Sequence, residues 1–541
     1  MTEHLSLISL LSTGALAAWL AVPLSFLAFA LYSHGKGGRE GLQQRWHRAE
    51  TLLVAGLGVS MLVGLLMMAG HWLPGLSMVD AGRPLGLYAT GFSGWMAVMV
   101  SFIGWVILRY ARDYLRGDPV QVTFLPWFLT TLACVLILVF TSHLLVLAAA
   151  WIGVSLSLHQ LLTLYPDRPQ ARLAAAQKFI ASRLGDACVI GGVWLIGRHY
   201  GTFNLQDIAQ AGAAAVSGNP GLQLASVLLA IAAALKCAQL PFHGWLLRVM
   251  EAPTPVSALL HAGIINLGGF LWLRLNPMFD GFTLGHGVLL VVGGATAVVA
   301  VLTMMTQASV KHALAWSTIA QMGFMLFEIG LGAYTLAALH LLAHSLYKAH
   351  SFLAAGRTVR VAASLPVGPR KPWLAISHAL VTGVVAAALL ALFPSLTGGS
   401  AVLSGLLVLA IVNGVWGIPL AISRKRRAVL SLLALALIPL YGLLHLLLGP
   451  ALGDVQALPL PAPLAVFAWM VPVALALLSW PLLQAGDRPA ALRLRVLFAQ
   501  GLYLDRPFEQ LTRRLASRAL NAPTSGRHYL TGHRLTTGEP S

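Results

Sequence analysis

The chain has 541 residues, 58% of them hydrophobic and only 10% charged, far too few polar groups to cover a soluble surface of that size. Its net charge of +18, from 35 Lys and Arg against 17 Asp and Glu, reflects loop arginines obeying the positive-inside rule rather than a nucleic-acid-binding face. The three cysteines, Cys134, Cys188 and Cys237, sit in apolar runs without CxxC spacing, which excludes a disulfide framework and a cysteine-bound zinc or iron–sulfur centre.

Apolar runs of roughly 20 residues, each able to cross about 30 Å of hydrocarbon, recur along the chain. They predict an all-α polytopic membrane protein; a barrel would show short alternating strands instead. The first run, about 5–32, is too long for a signal-peptide core and follows a start, MTEH, that lacks a basic segment, so it reads as a spanning helix. Further spans follow near 50–69, 86–108, 122–140, 142–164, 176–197, 221–247, 255–275, 285–306, 310–330, 333–355, 373–393, 400–422, 428–448 and 463–483, about fifteen in all.

The loops check that count. Odd-numbered loops are basic: Lys36, Arg39, Arg45 and Arg48 in the first, Arg109, Arg112 and Arg116 in the third, Arg168 and Arg172 in the fifth. The alternation persists to Arg357, Arg360, Arg370 and Lys371 and then to Arg424, Lys425, Arg426 and Arg427, whereas the second loop holds only Arg83. This parity predicts an N-terminus outside and a C-terminus in the cytoplasm. From about 485 the pattern changes. Leu504, Phe508, Leu511 and Leu515 recur at helical spacing among Arg506, Arg513, Arg514 and Arg518, an amphipathic basic helix suited to a membrane surface or a partner. Residues after about 522 read as disordered.

The ionisable residues left inside the spans carry the functional signal, because such groups are expensive in hydrocarbon and line ion or proton paths. Lys236 lies near mid-span, where a lysine costs roughly 2.5–3.5 kcal/mol on insertion scales. Pro241, five residues later, should interrupt that helix and free the carbonyl of Cys237. His340, His344 and Lys348 step by four and share one helix face. They read as core histidines, a zinc pair or a proton relay. The relay is favoured, since no Glu follows His340 and a nearby ammonium opposes a metal cation. Arg183 and Asp186, three apart, can pair on one face as a structural or a functional ion pair. His261 and Glu328 also lie within spans, Glu328 with no partner nearby in sequence; Glu251, in RVMEAPTP, falls at a cytoplasmic loop as a surface or gating group.

Three stretches, LKCAQLPFHGWL with APTPVSALLHAG, SVKHALAWSTIAQMGFM, and LHLLAHSLYKAHSFLAAG, resemble the antiporter-like subunits of respiratory complex I, membrane hydrogenases and Mrp-type cation/proton antiporters, over about residues 85–365. The resemblance implies two inverted five-helix repeats with broken helices and a mid-membrane chain of charged residues that moves protons. It implies helices 1–120, repeats at 121–275 and 285–425, further helices at 426–485 and a cytoplasmic tail at 486–541. Residue by residue, Lys236 matches the family lysine of the first broken helix, His261 the histidine of the next helix, and His340, His344 and Lys348 the central relay. Asp186, in RLGDACV, matches a family acid. Two positions depart from the pattern. The family glutamate that pairs with the lysine is Ile152 here, in WIG, and the second broken helix, at ALLALFPSLTGGSAVL, has Pro394 and glycines but no ionisable group. Asp186 is then expected to replace the missing glutamate as the partner of Lys236.

Within that family, size and ending resemble the membrane subunit of two-part inorganic carbon pumps of autotrophic bacteria. The resemblance implies a cytoplasmic zinc partner similar to β-carbonic anhydrases, with the carbon chemistry and the zinc on that partner. It implies H+ as coupling ion, with Na+ as the alternative, no cofactor on this chain, and contact with membrane lipid but not nucleic acid. Two other readings stand beside it: a proton-pumping subunit of a complex I, hydrogenase or Mrp-type assembly, and a membrane metallohydrolase using His340 and His344.

Overall fold

The structure, a computed structural model, describes residues 2–35, 41–72, 78–211, 214–215, 219–275, 278–355, 372–397, 400–416, 423–452, 459–484 and 489–517. The N-terminal part comprises α1 (Thr2–Gly35), α2 (Leu42–Trp72), the short α3 (Met78–Gly82), α4 (Gly91–Tyr114), α5 (Gln121–Phe140), α6 (Leu144–Leu162) and α7 (Pro169–Tyr200). Then come α8 (Leu205–Ala211), α9 (Pro220–Lys236), α10 (Gly244–Arg248), α11 (Thr254–Ala262), α12 (Leu267–Leu275), α13 (Leu284–Met304), α14 (Val310–Gly330) and α15 (Tyr334–Leu353). The chain continues through α16 (Pro372–Leu392), α17 (Ala401–Trp416), α18 (Arg424–Leu452), α19 (Ala462–Gln484), α20 (Pro489–Ala499) and α21 (Arg506–Leu515). The strands among the described residues are two-residue pieces, β1 (Ala214–Ala215) and β2 (Phe279–Asp280), paired in parallel.

Ten helical segments are long and apolar enough to cross a membrane among the described residues, and every span expected from the sequence falls on helix, two of them on interrupted pairs. α14 and α15 match the others in length but carry polar residues of the candidate site. Leucines stand exposed along α18, among them Leu432, Leu433, Leu437, Leu440 and Leu446, and α19 adds Val466, Met470 and Leu477. Such apolar exteriors suit lipid as solvent, whereas the largest buried cluster runs from α1 to α15.

Side chains set several helix starts. Thr90 caps α4 through Ser93 N, Asn219 caps α9 with Pro220 in the first turn, and Thr283 with His286 forms a reciprocal capping box at α13. Arg274, at the end of α12, is buried among neutral acceptors: it donates to the carbonyls of Tyr88 at 2.8 Å and Thr141 at 3.2 Å and to Ser93 Oγ at 2.7 Å. It thereby ties α12 to the ends of α4 and α5.

Two expected spans are interrupted. The helix expected over 221–247 stops at Lys236, and a turn separates it from α10. Pro241 supplies no N–H for helical continuation, and Ala238 turns to φ +50°. The freed groups are met by protein: Gln239 Nε2 donates to the Cys237 carbonyl at 2.9 Å, and Leu240 N donates to Thr296 Oγ1 at 3.3 Å. The span expected as continuous over 255–275 breaks at Gly263 into α11 and α12, where Asn266 Nδ2 donates to the Ala262 carbonyl at 3.1 Å. The two breaks are stitched by Cys237 Sγ, which donates to the Ile265 carbonyl at 3.2 Å. At the second proline-and-glycine stretch, by contrast, α16 and α17 pack side by side, and Pro394 sits in the connection between them.

The tail forms two helices rather than one. Gly501, at φ +59°, turns the chain between α20 and α21, and α21 docks on the bundle. Phe508 is buried against Ala181 and Leu235, and its ring lies 5.0 Å from that of Phe242. Arg248 of α10 holds Asp505 at 3.0 Å and also pairs with Glu509. The region beyond about 522, expected to be disordered, lies outside the described residues, as do Lys36, Arg39, Arg357, Arg360, Arg370 and Lys371.

α13 and α14 pack backbone against backbone. A Cβ on Gly330 would stand 2.6 Å from Leu290 N and Cβ, whereas one on Gly58 of α2 meets nothing within 4 Å. Gly330→Ala is therefore expected to destabilise by about 1–3 kcal/mol, the usual cost of overpacking, and Gly58→Ala to leave stability unchanged or raised. Thermal unfolding of the detergent-purified protein checks this; equal melting temperatures for the two variants would refute the close crossing.

Candidate functional site

The first group of polar residues gathers where α9 ends. Lys236, in the last turn of α9, is buried and donates to Ser155 Oγ of α6 at 3.0 Å, with Nζ 4.4 Å from the ring centroid of Trp151. An aromatic face and a hydroxyl thus stabilise the ammonium where the family pattern has a glutamate. Ile152 lies on the same helix one turn before Ser155. Lys178 of α7, also buried, donates to the backbone carbonyl of Ser155.

Asp186 is buried on α7 and pairs with Arg183 at 2.5 Å, the i, i+3 pair expected from the sequence. Its expected partnership with Lys236 is not a direct ion pair; the two lie within electrostatic range of each other, and Lys236 takes its contacts from α6. A cavity of about 20 Å³, room for one water, is lined by Trp151, Ser155, Lys178, Ser182, Lys236 and Trp245, among others.

The second group joins α11, α14 and α15. His261, in the last turn of α11, stacks on Phe352 with ring centroids 4.3 Å apart and places Nδ1 3.0 Å from Thr318 Oγ1. Thr318 donates its own hydroxyl to the Leu314 carbonyl, so its oxygen accepts from Nδ1–H, and Nε2 of His261 is left without a protein partner. Lys348 donates to the same Leu314 carbonyl at 3.0 Å and to Ser317 Oγ.

His340 places Nδ1 3.1 Å from both carboxylate oxygens of Glu328 and Nε2 2.7 Å from Gln321 Oε1. Nδ1–H thus donates to the Glu328 carboxylate, and Nε2 meets the side-chain amide of Gln321. Glu328, without a neighbour in sequence, finds its partner, His340, on the following helix. His344, with its ring 6.4 Å from that of His340, is buried with neither nitrogen bonded to protein. It lies within electrostatic range of His340, Lys348 and His261. Asn266, from the break between α11 and α12, donates to Ser345 Oγ of α15 at 2.6 Å and joins the interrupted span to the relay helix.

The structure therefore brings buried His261, Glu328, His344 and Lys348 together with half-buried His340, and buried Asp186 and Lys236 together with half-buried Arg183, with Pro241 in the break between α9 and α10. Glu251 ends the 3-10 turn Val249–Glu251, and its side chain lies outside the described residues. The sequence reading missed Lys178, Ser155, Gln321 and Arg274. Lys178 was legible as a residue two turns before Asp186 on the same helix, but it stands at the edge of the expected apolar span. Ser155 and Gln321 are uncharged and become visible only through their partners.

Residues 141–366 match the family model described as NADH:quinone oxidoreductase/Mrp antiporter, and residues 76–125 match the N-terminal region of complex I chain 5. A probable inorganic carbon transporter subunit DabB from Hydrogenovibrio crunogenus is 41% identical over 376 residues, 68% of this chain and 71% of that protein. The NADH-quinone oxidoreductase subunit L of Pseudomonas aeruginosa is 35% identical over 321 residues, 58% of this chain and 52% of the relative. Among solved structures, the Mrp complex from Dietzia sp. superposes with a TM-score of 0.58 at 22% identity, covering 94% of this chain and 59% of the other, which shows a shared fold. With this match in fold and sequence, the chain belongs to the DabB family of antiporter-like, multi-pass membrane subunits.

Proposed function

We propose that this chain is the cation-conducting membrane subunit of an energy-coupled complex that accumulates inorganic carbon, with H+ as the conducted ion and Na+ as the alternative. The observation that carries the reading is a pair of largely buried groups of titratable side chains, with Lys236 and His261 at helix breaks, in a chain whose curated relatives include inorganic carbon transporter subunits. Ionisable residues in a span persist where they serve an ion or proton path. Lys236 takes up and releases a proton where Ser155 and the Trp151 face hold its charge. His261 and His344 offer unpartnered ring nitrogens as acceptors, and Glu328 accepts from Nδ1–H of His340.

The bacterial relatives support an inner-membrane location, and the loop arginines a periplasmic N-terminus and a cytoplasmic C-terminus. Carbon hydration is assigned to a cytoplasmic DabA-like zinc subunit resembling β-carbonic anhydrases, so this chain acts as a transporter subunit without a cofactor of its own. A second reading keeps the same path but couples it to redox subunits, and the likeness to complex I subunit L supports it.

Lys236→Met and His344→Leu are each expected to lower uncoupler-sensitive carbon uptake about 10²-fold, the scale of a positioned proton carrier, with normal amounts of protein in the membrane. The assay is bicarbonate-dependent growth and uptake in a carbonic-anhydrase-deficient strain expressing this chain with its genomic neighbour; wild-type rates would sink the path. Asp186→Asn removes the carboxylate that balances Arg183 and Lys236 and is expected to abolish uptake in the same assay, a fully active variant refuting charge compensation at this position. Affinity purification from native membranes is expected to bring along a zinc-containing cytoplasmic protein. Recovery of iron–sulfur or nickel subunits in its place would establish the redox-linked reading.

A further inference from the structure

The path drawn from Lys236 leaves one buried lysine unused. Lys178 lies two helical turns before Asp186 on α7 and meets Lys236 of α9 on a single residue of a third helix: one amine on the carbonyl of Ser155, the other on its hydroxyl. Both lysines line the water-sized cavity. A buried ammonium held for structure takes a carboxylate or a full set of acceptors. The acceptor the structure gives Lys178 is one carbonyl, against three N–H donors, and the carboxylate within range, Asp186, is paired with Arg183. On its other side stands His159 of α6, one turn beyond Ser155 and half-buried, with its ring 5.3 Å from that of Phe179 and Nδ1 without a protein partner. His159 lies in the last turn of α6, next to the loop that carries Arg168.

We infer that Lys178 is a second proton carrier, feeding Lys236 across the cavity at Ser155, with His159 as its neighbour toward the surface. This rests on reading Lys236 as part of a proton path. In the step, the Lys178 ammonium gives a proton to a water in the cavity and becomes an amine. The water passes a proton to the neutral amine of Lys236, which becomes the ammonium. The proton count of the site is unchanged, and Ser155 serves both amines. The charged and titratable groups around Lys178 are His159 on α6, Arg183 and Asp186 on α7, and Lys236 on α9. Arg248 of α10 reaches the neighbouring Gln177 at 2.9 Å and is itself held by Asp505 and Glu509.

The test compares Lys178→Arg, Lys178→Gln, Lys178→His and Lys236→Met in the full complex, by carbon uptake as a function of external pH. Arginine keeps the charge and the donors but does not release its proton. Lys178→Arg and Lys178→Gln are expected to lose uptake about 10²-fold, the order a positioned proton carrier contributes. Lys178→His is expected to retain uptake with its pH profile moved toward acid by about one unit or more, because imidazole titrates lower than an amine. Wild-type uptake by Lys178→Arg beside an inactive Lys236→Met overturns the feeder and leaves the path standing; wild-type uptake by both overturns the two together. Should the Arg and Gln variants fail to accumulate, Lys178→His decides, and an unmoved pH profile overturns the inference.

Discussion

A charge buried in a membrane bundle needs polar groups around it, and a continuous helix hides all of its own. Interrupting the helix releases carbonyls and amides, but each must then find a partner inside the protein. The break between α9 and α10 shows how tightly that requirement binds. The freed Cys237 carbonyl is met by Gln239, the Leu240 amide by Thr296, and Cys237 Sγ reaches across to Ile265 in the neighbouring break. Lys236 sits on the rim of this arrangement, so its position is fixed by backbone hydrogen bonding as much as by its own contacts.

The paired breaks also connect the two polar groups through direct contacts. Asn266 bridges from the interruption between α11 and α12 to Ser345 on α15, one residue beyond His344. His261, one turn before Asn266, stacks on Phe352 of the same relay helix. Contiguous contacts thus join the breaks to α15, which carries His340, His344 and Lys348. α6 carries no carboxylate, so neutral Ser155 and the Trp151 ring hold Lys236, and the nearby Asp186 is paired with Arg183.

The tail completes the cover over the same region. Phe508 of α21 rests on Ala181 and Leu235, two residues that also line the lysine cavity, and Arg248 clamps α21 through Asp505 and Glu509. One residue of its apolar stripe, legible from the spacing of Leu504, Phe508, Leu511 and Leu515, thus packs within the chain. Phe508 is buried there, whereas Leu511 and Leu515 remain exposed.

Much of this was legible in one dimension. Hydropathy gave the spans, because the cost of hiding unpaired backbone polar groups in lipid forces helices of a set length. The proline after Lys236, the i, i+4 steps of His340, His344 and Lys348, and the i, i+3 step of Arg183 and Asp186 marked most of the candidate site, because helical geometry converts those spacings into shared faces. What tertiary structure alone decided were the partners across helices: Glu328 with His340, Lys236 with Ser155, Arg274 with the ends of α4 and α5, and the break at Gly263 facing the break after Lys236. These depend on which faces meet at the closest helix crossings. No periodicity within one segment carries that information, because the partner of a buried charge is chosen by packing between segments far apart in the chain.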